Sequence, residues 1–280
     1  MDFNESSAPG IYEDVPAHIY HACGLMSHSK LKPLTRTDKT PAHFFQGLRF
    51  PVVTTPEMLM GTATHTLVLQ PEHFDAEVEV APGESRRNKT WKARQKEVPH
   101  KILLSEKEIL QVEGMANVLK QDEAVMSLLR MAGNVFEASL IWEHVTNDGT
   151  VVKMKARVDT WLRPIGGILD LKTTDSVDCF LFEKKMELLG YHTQMATYQG
   201  ALTALGETVH DAYLLAIERE PPHVYDLFRV GRDSMHTGER LIHYALETYA
   251  HCRAEDTYPG HTIDLNNLTE VDVPIWARIG

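Results

Sequence analysis

With 280 residues, 43% of them hydrophobic, and a net charge of −11, the chain has apolar content enough for a buried core, which excludes a disordered or fibrous protein. The acidic balance also excludes a protein that coats nucleic acid through a uniformly basic surface, because phosphate neutralisation needs surplus Lys and Arg. Cys23, Cys179 and Cys252 are scattered and form no C-x-x-C pair, no run of about 18 apolar residues suggests a membrane span, and Met1 to Gly10 is acidic and polar with no export signal; a cytoplasmic protein of a reducing compartment is expected.

No internal repeat or low-complexity linker divides the chain, so one domain over residues 1–280 is expected, with a mainly helical part at 1–130, an α/β core at 131–255 and an irregular tail at 256–280. Ser27 to Leu34 reads as a short capped helix, and Thr40 caps a second with Pro41 in its first turn. Lys30, Lys32, Arg36, Lys39 and Arg49 against Asp38 make a first basic stretch. Pro56 to Gln70 keeps helical spacing. A second basic stretch at 84–101 reads as a loop carrying Arg86, Arg87, Lys89, Lys92, Arg94, Lys96 and Lys101 against Glu84 and Glu97. Each stretch is either a solvated surface or a local contact for phosphate. Ser105 and Glu108 form a capping box that opens a helix to about Leu119, and another follows from Glu123 to Arg130.

The period then changes. Phe136 to Trp142 alternates, Asn147-Asp148-Gly149 supplies a hairpin turn, and Thr150 to Leu162 alternates again. Pro164, Gly166 and Gly167 break the chain before a short strand, Ile168 to Thr173, which completes a meander of three strands. A long helix from Phe180 to Leu205 ends at Gly206. Strands Ala212 to Glu218 and Val224 to Val230, joined by a turn with Pro221-Pro222, precede a helix from Arg232 to Arg253. This order implies an α/β or α+β fold, with a mixed central sheet flanked by helices.

On the strand Val151 to Asp159, Lys153, Lys155, Arg157 and Asp159 share one face, while Val152, Met154, Ala156 and Val158 share the other. In the next strand Leu169 and Leu171 take the buried role, leaving Asp170 and Lys172 together. Two carboxylates and an ammonium can therefore converge at one edge of a hairpin, with Glu137 and Ser139 sharing a face upstream. Such a group suits phosphodiester hydrolysis. Hard oxygen ligands hold one or two magnesium or manganese ions that acidify water, and Lys172 can orient that water and stabilise charge on phosphorus. The alternative is a salt bridge across the hairpin. An acid-x-Lys tripeptide is weak by itself, since Glu183-Lys184-Lys185 satisfies it inside an expected helix. Asp170-Leu171-Lys172 is set apart by its strand, the preceding Gly/Pro turn, Asp159 and Glu137. His18, His21 and Cys23 lack the fourth ligand of a zinc site.

At these residues the chain resembles the RecE-like exonucleases, of the exodeoxyribonuclease VIII type, within the PD-(D/E)XK nucleases. The resemblance runs through Ser27-His28-Ser29-Lys30-Leu31, Thr40-Pro41-Ala42-His43-Phe44, Gly61-Thr62-Ala63-Thr64-His65, and Leu69-Gln70-Pro71-Glu72. It continues in Lys155-Ala156-Arg157-Val158-Asp159, Asp170-Leu171-Lys172-Thr173-Thr174, the run from Tyr191 to Tyr198, and Val273-Pro274-Ile275-Trp276-Ala277. It implies a PD-(D/E)XK core and a processive exonuclease acting on linear double-stranded DNA from its 5′ end. The 3′ overhang would serve a RecT-like single-strand annealing protein in phage or prophage recombination, and the enzyme would assemble as a trimeric or tetrameric ring in a bacterial or phage-infected cell.

The resemblance also implies residue roles. His65 falls on a metal-contacting helix histidine, Asp159 and Asp170 on metal carboxylates, Leu171 on a position whose carbonyl completes the shell, and Lys172 on the catalytic lysine. Glu137 matches the upstream acid. The expected DNA contacts are Lys89, Trp91, Lys155, Arg157, Thr173, Thr174, Tyr191, Gln194 and Tyr198, the last three sharing a helix face at i, i+3 and i+7. Iron–sulfur relatives need four ordered cysteines and are excluded. An endonuclease on the same scaffold and a non-catalytic DNA-binding protein remain as alternatives.

Overall fold

Strong local signals shape the helices. In the computed structural model, which describes residues 3–50, 54–83, 85–261, 268 and 270–273, the elements run in the order β1 (Gly10–Tyr12), α1 (Ala17–Ala22), α2 (His28–Leu31), α3 (Pro41–Arg49), α4 (Pro56–Leu69), α5 (Phe74–Glu77), β2 (Val78–Val80), α6 (Lys89–Glu97), β3 (Ile102–Leu104), α7 (Glu106–Gln121) and α8 (Glu123–Leu129). There follow β4 (Val135–Val145), β5 (Val151–Leu162), β6 (Gly167–Thr174), α9 (Cys179–Leu189), α10 (Tyr191–Ala204), β7 (Asp211–Glu218), β8 (Tyr225–Arg229) and α11 (Arg232–Ala254). Glu84 and the resemblance segment from Pro274 to Ala277 lie outside the described residues. The expected capping box opens α7: the Glu108 amide donates to Ser105 Oγ (3.3 Å) and the Ser105 amide to Glu108 Oε2 (2.8 Å).

Six strands form one mixed sheet in the order β1-β4-β5-β6-β7-β8, and only β6 and β7 pair in parallel among them. The expected mixed sheet and three-strand meander are both present. One face of the sheet, with Leu140, Val152, Met154, Ala156, Val158, Ala212, Leu214 and Ala216, packs against α10 and α11. The other, with Leu169, Leu171, Leu215 and Ile217, packs against α4 and α7. No helix among the described residues is long and apolar enough to cross a membrane.

Four local expectations need correction. The long helix from Phe180 to Leu205 is two helices, because Gly190 takes a left-handed φ of +68° that closes α9 and turns the chain into α10. The basic loop at 84–101 contains α6, whose buried Trp91 packs with Ala81 and Leu103. The charged face of β5 is not open to solvent. Residues 3–26 cover it: β1 pairs with β4, the Lys155 amide donates to the Met26 carbonyl (2.7 Å), and Phe3, Val15, Cys23 and Leu25 form a small core with Ile141.

Finally, strict alternation fails within β4 and β5. Val158 and Trp161 face the same core although three residues apart, and so do Val135 and Leu140, so each strand slips phase by one residue. The slips lie side by side, at Glu137, whose φ is +50°, and at Asp159.

Candidate active site

Register brings the acids together. Phe136 pairs with Thr160 and Ala138 with Val158, which leaves Glu137 directly opposite Asp159. Thr160 pairs in turn with Leu169, so the next level sets Asp159 across from Asp170, but the β5–β6 ladder stops there. The Leu171 amide instead donates to Asp159 Oδ2 (3.0 Å). Glu137, Asp159 and Asp170 thus form one row across three neighbouring strands, at the point where two of them part. Because the N–H and C=O of an extended residue point to the same edge, the Leu171 carbonyl also faces this opening.

His65 reaches the row from α4, with Nδ1 3.1 Å from Asp159 Oδ2. Gly61, one turn earlier, permits that approach: a Cβ there would lie 3.3 Å from Thr173 Oγ1 on β6. His65, Glu137 and Asp159 offer ligand atoms that all lie within 4.8 Å of one another.

Asp170 is 0% exposed, and neither of its carboxylate oxygens has a hydrogen-bond partner among the described residues. Lys172 Nζ lies 2.5 Å from Asp170 Oδ2, a buried ion pair. Burying a carboxylate is expensive, and one ammonium beside it does not fill its acceptor capacity. A divalent cation relieves that cost, and a set of carboxylates, one carbonyl and one imidazole suits magnesium or manganese, so the residues fit such an ion.

Electrostatics divide the acids. Burial and the neighbouring Asp159 push Asp170 up to about 6, against the pull of Lys172 and His65. Burial and Asp159 likewise push Glu137 up to about 7. Burial would raise Asp159 too, but His65, Lys172 and the Leu171 amide outweigh it and hold that carboxyl below its ordinary value. Burial would depress His65, but Asp159, Asp170 and Glu137 raise it to about 9. Lys172 stays charged for the same reason, since Asp170 and Asp159 overcome its desolvation.

The expected face of α10 stands beside Lys172, but in a supporting role. Lys172 Nζ donates to Gln194 Oε1 (2.9 Å) and lies 4.6 Å from the Tyr191 ring centroid, while Gln194 Nε2 donates to the Tyr198 hydroxyl (2.7 Å). Tyr198 is buried, and the polar atoms of Gln194 are engaged by Lys172 and Tyr198. Both support Lys172, and the buried Tyr198 presents no surface to DNA, whereas Gln194 is half-buried.

Four more DNA contacts are corrected. Lys155, 4% exposed, donates to the Tyr20 (2.5 Å) and Cys23 (2.7 Å) carbonyls. Arg157 donates to the Val15 carbonyl (2.6 Å) and to Ser139 Oγ (3.1 Å). Both fasten the amino-terminal segment to the sheet. Thr174 is fully buried, with its hydroxyl donating to the Ser176 carbonyl (3.1 Å). Trp91 is 4% exposed and has no open ring face for a base, its indole lying under the Arg86 guanidinium at 5.0 Å. Thr173 is half-buried beside Gly61, and Lys89 is exposed.

Two residues at the site escaped the sequence reading. His28 Nε2 lies 2.8 Å from Thr193 Oγ1, and burial with the nearby charges of Lys32 and Lys172 lowers its pKa to about 3. Burial, Arg36 and Lys172 together lower Lys32. Their signal was present, since His28 lies in the first resemblance segment and Lys32 in the first basic stretch.

Acids on neighbouring strands, with a lysine two positions beyond the second, are the constellation by which PD-(D/E)XK nucleases are recognised, and the mixed sheet flanked by helices is their fold. Residues 27–268 match the family described as "PDDEXK-like domain of unknown function", and the chain belongs to that family. No curated protein matches it significantly. Among solved structures, the chain is similar to a "Putative exonuclease" from Eubacterium rectale, at 16% identity over 96% of this chain and 100% of that one, with a TM-score of 0.55. A weaker likeness, at 11% identity over 83% of this chain and 96% of that one and a TM-score of 0.33, is to a phage related exonuclease from Haemophilus somnus 129PT.

Proposed function

We propose that the protein is a magnesium-dependent deoxyribonuclease, with manganese as a substitute, that digests linear duplex DNA from the 5′ end and leaves a 3′ overhang for a single-strand annealing partner. The observation that carries the nuclease reading is the row Glu137–Asp159–Asp170, with the Asp170 oxygens buried and without hydrogen-bond partners among the described residues beside Lys172. End-directed digestion and a role in recombination in the cytoplasm draw support from the RecE-like resemblance, and the Eubacterium rectale likeness is in keeping with the exonuclease activity alone. A ring of three or four copies around the duplex accompanies the processivity that the resemblance implies.

His65, Glu137, Asp159, Asp170 and the Leu171 carbonyl would hold one or two ions, which would acidify water and offset charge on the scissile phosphate. The chain's own residues do the rest. Lys172, held charged by Asp170 and Asp159, orients the attacking water and stabilises the charge that gathers on the phosphoryl oxygens. Gln194 and Tyr191 fix the lysine's position, so little reorganisation accompanies reaction. Lys89, Lys92 and Lys96, exposed at i, i+3 and i+7 on α6, offer a basic stripe for the DNA backbone on an otherwise acidic protein.

The test is incubation with linear 5′-phosphorylated duplex or with closed circular plasmid, in magnesium or in EDTA. Loss of the linear DNA alone, only with magnesium, is expected. Cutting of the closed circle would replace the exonuclease with an endonuclease, and no cleavage of either would leave a DNA-binding protein.

A further inference from the structure

The hairpin end of the sheet holds a second group of metal-ligating side chains that the chemistry above does not use. His144 lies one residue before the end of β4, about 24 Å along the strand from Glu137. His243 and Glu247 sit four residues apart on one face of α11. The three offer ligand atoms that all lie within 4.8 Å of one another.

The surroundings are those of a ligand set. His144 Nε2 is sealed from solvent and has no hydrogen-bond partner among the described residues, a cost that the ordinary His243–Glu247 ion contact, at 3.6 Å, leaves unexplained. The Asn147 amide, in the hairpin turn, donates to Glu247 Oε1 (2.9 Å), the oxygen that faces His243 Nε2, and Asn147 Nδ2 lies 3.5 Å from that nitrogen, so the turn holds both side chains in place. The His144 and His243 rings meet edge to face with centroids 5.5 Å apart.

We infer that His144, His243 and Glu247 bind a transition-metal ion of the zinc type, with water in the fourth position, and that the ion fastens the β4–β5 hairpin to α11. Two imidazoles and a carboxylate favour zinc and its neighbours over magnesium, which prefers an all-oxygen shell. Around zinc the ligand atoms stand about 3.3 Å apart. His243 is exposed, so its ring can swing inward by the remaining distance.

The full chain, stripped with EDTA and returned to excess magnesium, is titrated with zinc. Bound zinc is counted by mass spectrometry after desalting, and the melting temperature is followed in parallel. His243→Ala and Glu247→Gln serve as variants. Zinc that enters the catalytic centre is common to all three proteins and cancels in the comparison. The inference predicts that the unaltered protein retains one more equivalent of zinc than either variant and melts higher with zinc than without. Neither variant should gain that stability, and magnesium-dependent cleavage in zinc-free buffer should be the same in all three. Equal zinc content in the three proteins would overturn the site. An extra equivalent that leaves the melting temperature unchanged would overturn the fastening role.

Discussion

Glu137 stands directly across from Asp159 where both β4 and β5 slip phase, and it does so with a left-handed φ of +50°. A non-glycine residue in that region costs about 1–2 kcal/mol. The conformation brings the Glu137 carboxylate within metal-ligand reach of His65 and Asp159. Glu137→Gln, which keeps the shape and removes the charge, is expected to lower metal-dependent cleavage about 10–100-fold while circular dichroism stays unchanged. Full activity in this variant would remove Glu137 from the site.

The metal-free protein should lose stability as pH rises. Asp170 and Glu137 have folded pKa values raised to about 6 and about 7, above those of ordinary carboxyls. The folded state therefore keeps protons that the unfolded chain releases, and stability falls between about pH 4 and 7. His65, raised to about 9, contributes stability that is present below its unfolded pKa and lost as pH rises through 9. Urea melts in EDTA from pH 5 to 9 should follow this slope. Asp170→Asn should flatten its carboxylate part and raise stability at pH 8 by about 1–3 kcal/mol, the usual cost of an unsatisfied buried group. Saturating magnesium should oppose the slope, because bound metal favours deprotonated ligands.

Gln194→Ala removes the acceptor that holds Lys172 and leaves the metal ligands in place. The expected result is a fall in kcat of about 10–100-fold, with KM for DNA and the affinity for manganese nearly unchanged. An equal loss of DNA affinity would show instead that Gln194 touches substrate.

Much of the site could be read from the chain because a strand's period is simple. Alternation along Val151 to Asp159, and the placement of Asp170 and Lys172 opposite Leu169 and Leu171, pointed to three of the central groups, and the register sets Asp159 across from Asp170, one level beyond the Thr160–Leu169 pair. The slip at Glu137 was not legible, since a left-handed glutamate is held there by tertiary packing and not by its own propensity. The burial of Lys155 and Arg157 was hidden for a related reason. Basic residues on alternate positions look solvent-facing until residues 3–26, distant in sequence, supply the carbonyls that receive them. Gly190 was visible, but a glycine inside an apolar helical run reads equally as a tolerated interior residue.

Trp91 and the lysines of α6 should separate packing from DNA binding. Trp91→Ala is expected to destabilise the fold by about 3–5 kcal/mol, as for other buried aromatics. It should leave the salt dependence of DNA binding unaltered at a temperature where the variant is folded. Replacing Lys89, Lys92 and Lys96 together by Ala should leave the melting temperature nearly unchanged and reduce the log–log salt slope by about 3. Binding isotherms between low and physiological salt check both.

His65, Glu137, Asp159 and Asp170 are proposed to enclose a divalent cation next to Lys172. Crystals grown with manganese, and examined for anomalous scattering at the manganese edge, test this proposal most directly. A strong peak is expected between the Asp159 and Asp170 carboxylates, absent from Asp170→Asn crystals prepared in the same way. Manganese bound elsewhere, with those two carboxylates bare at saturating metal, would contradict it.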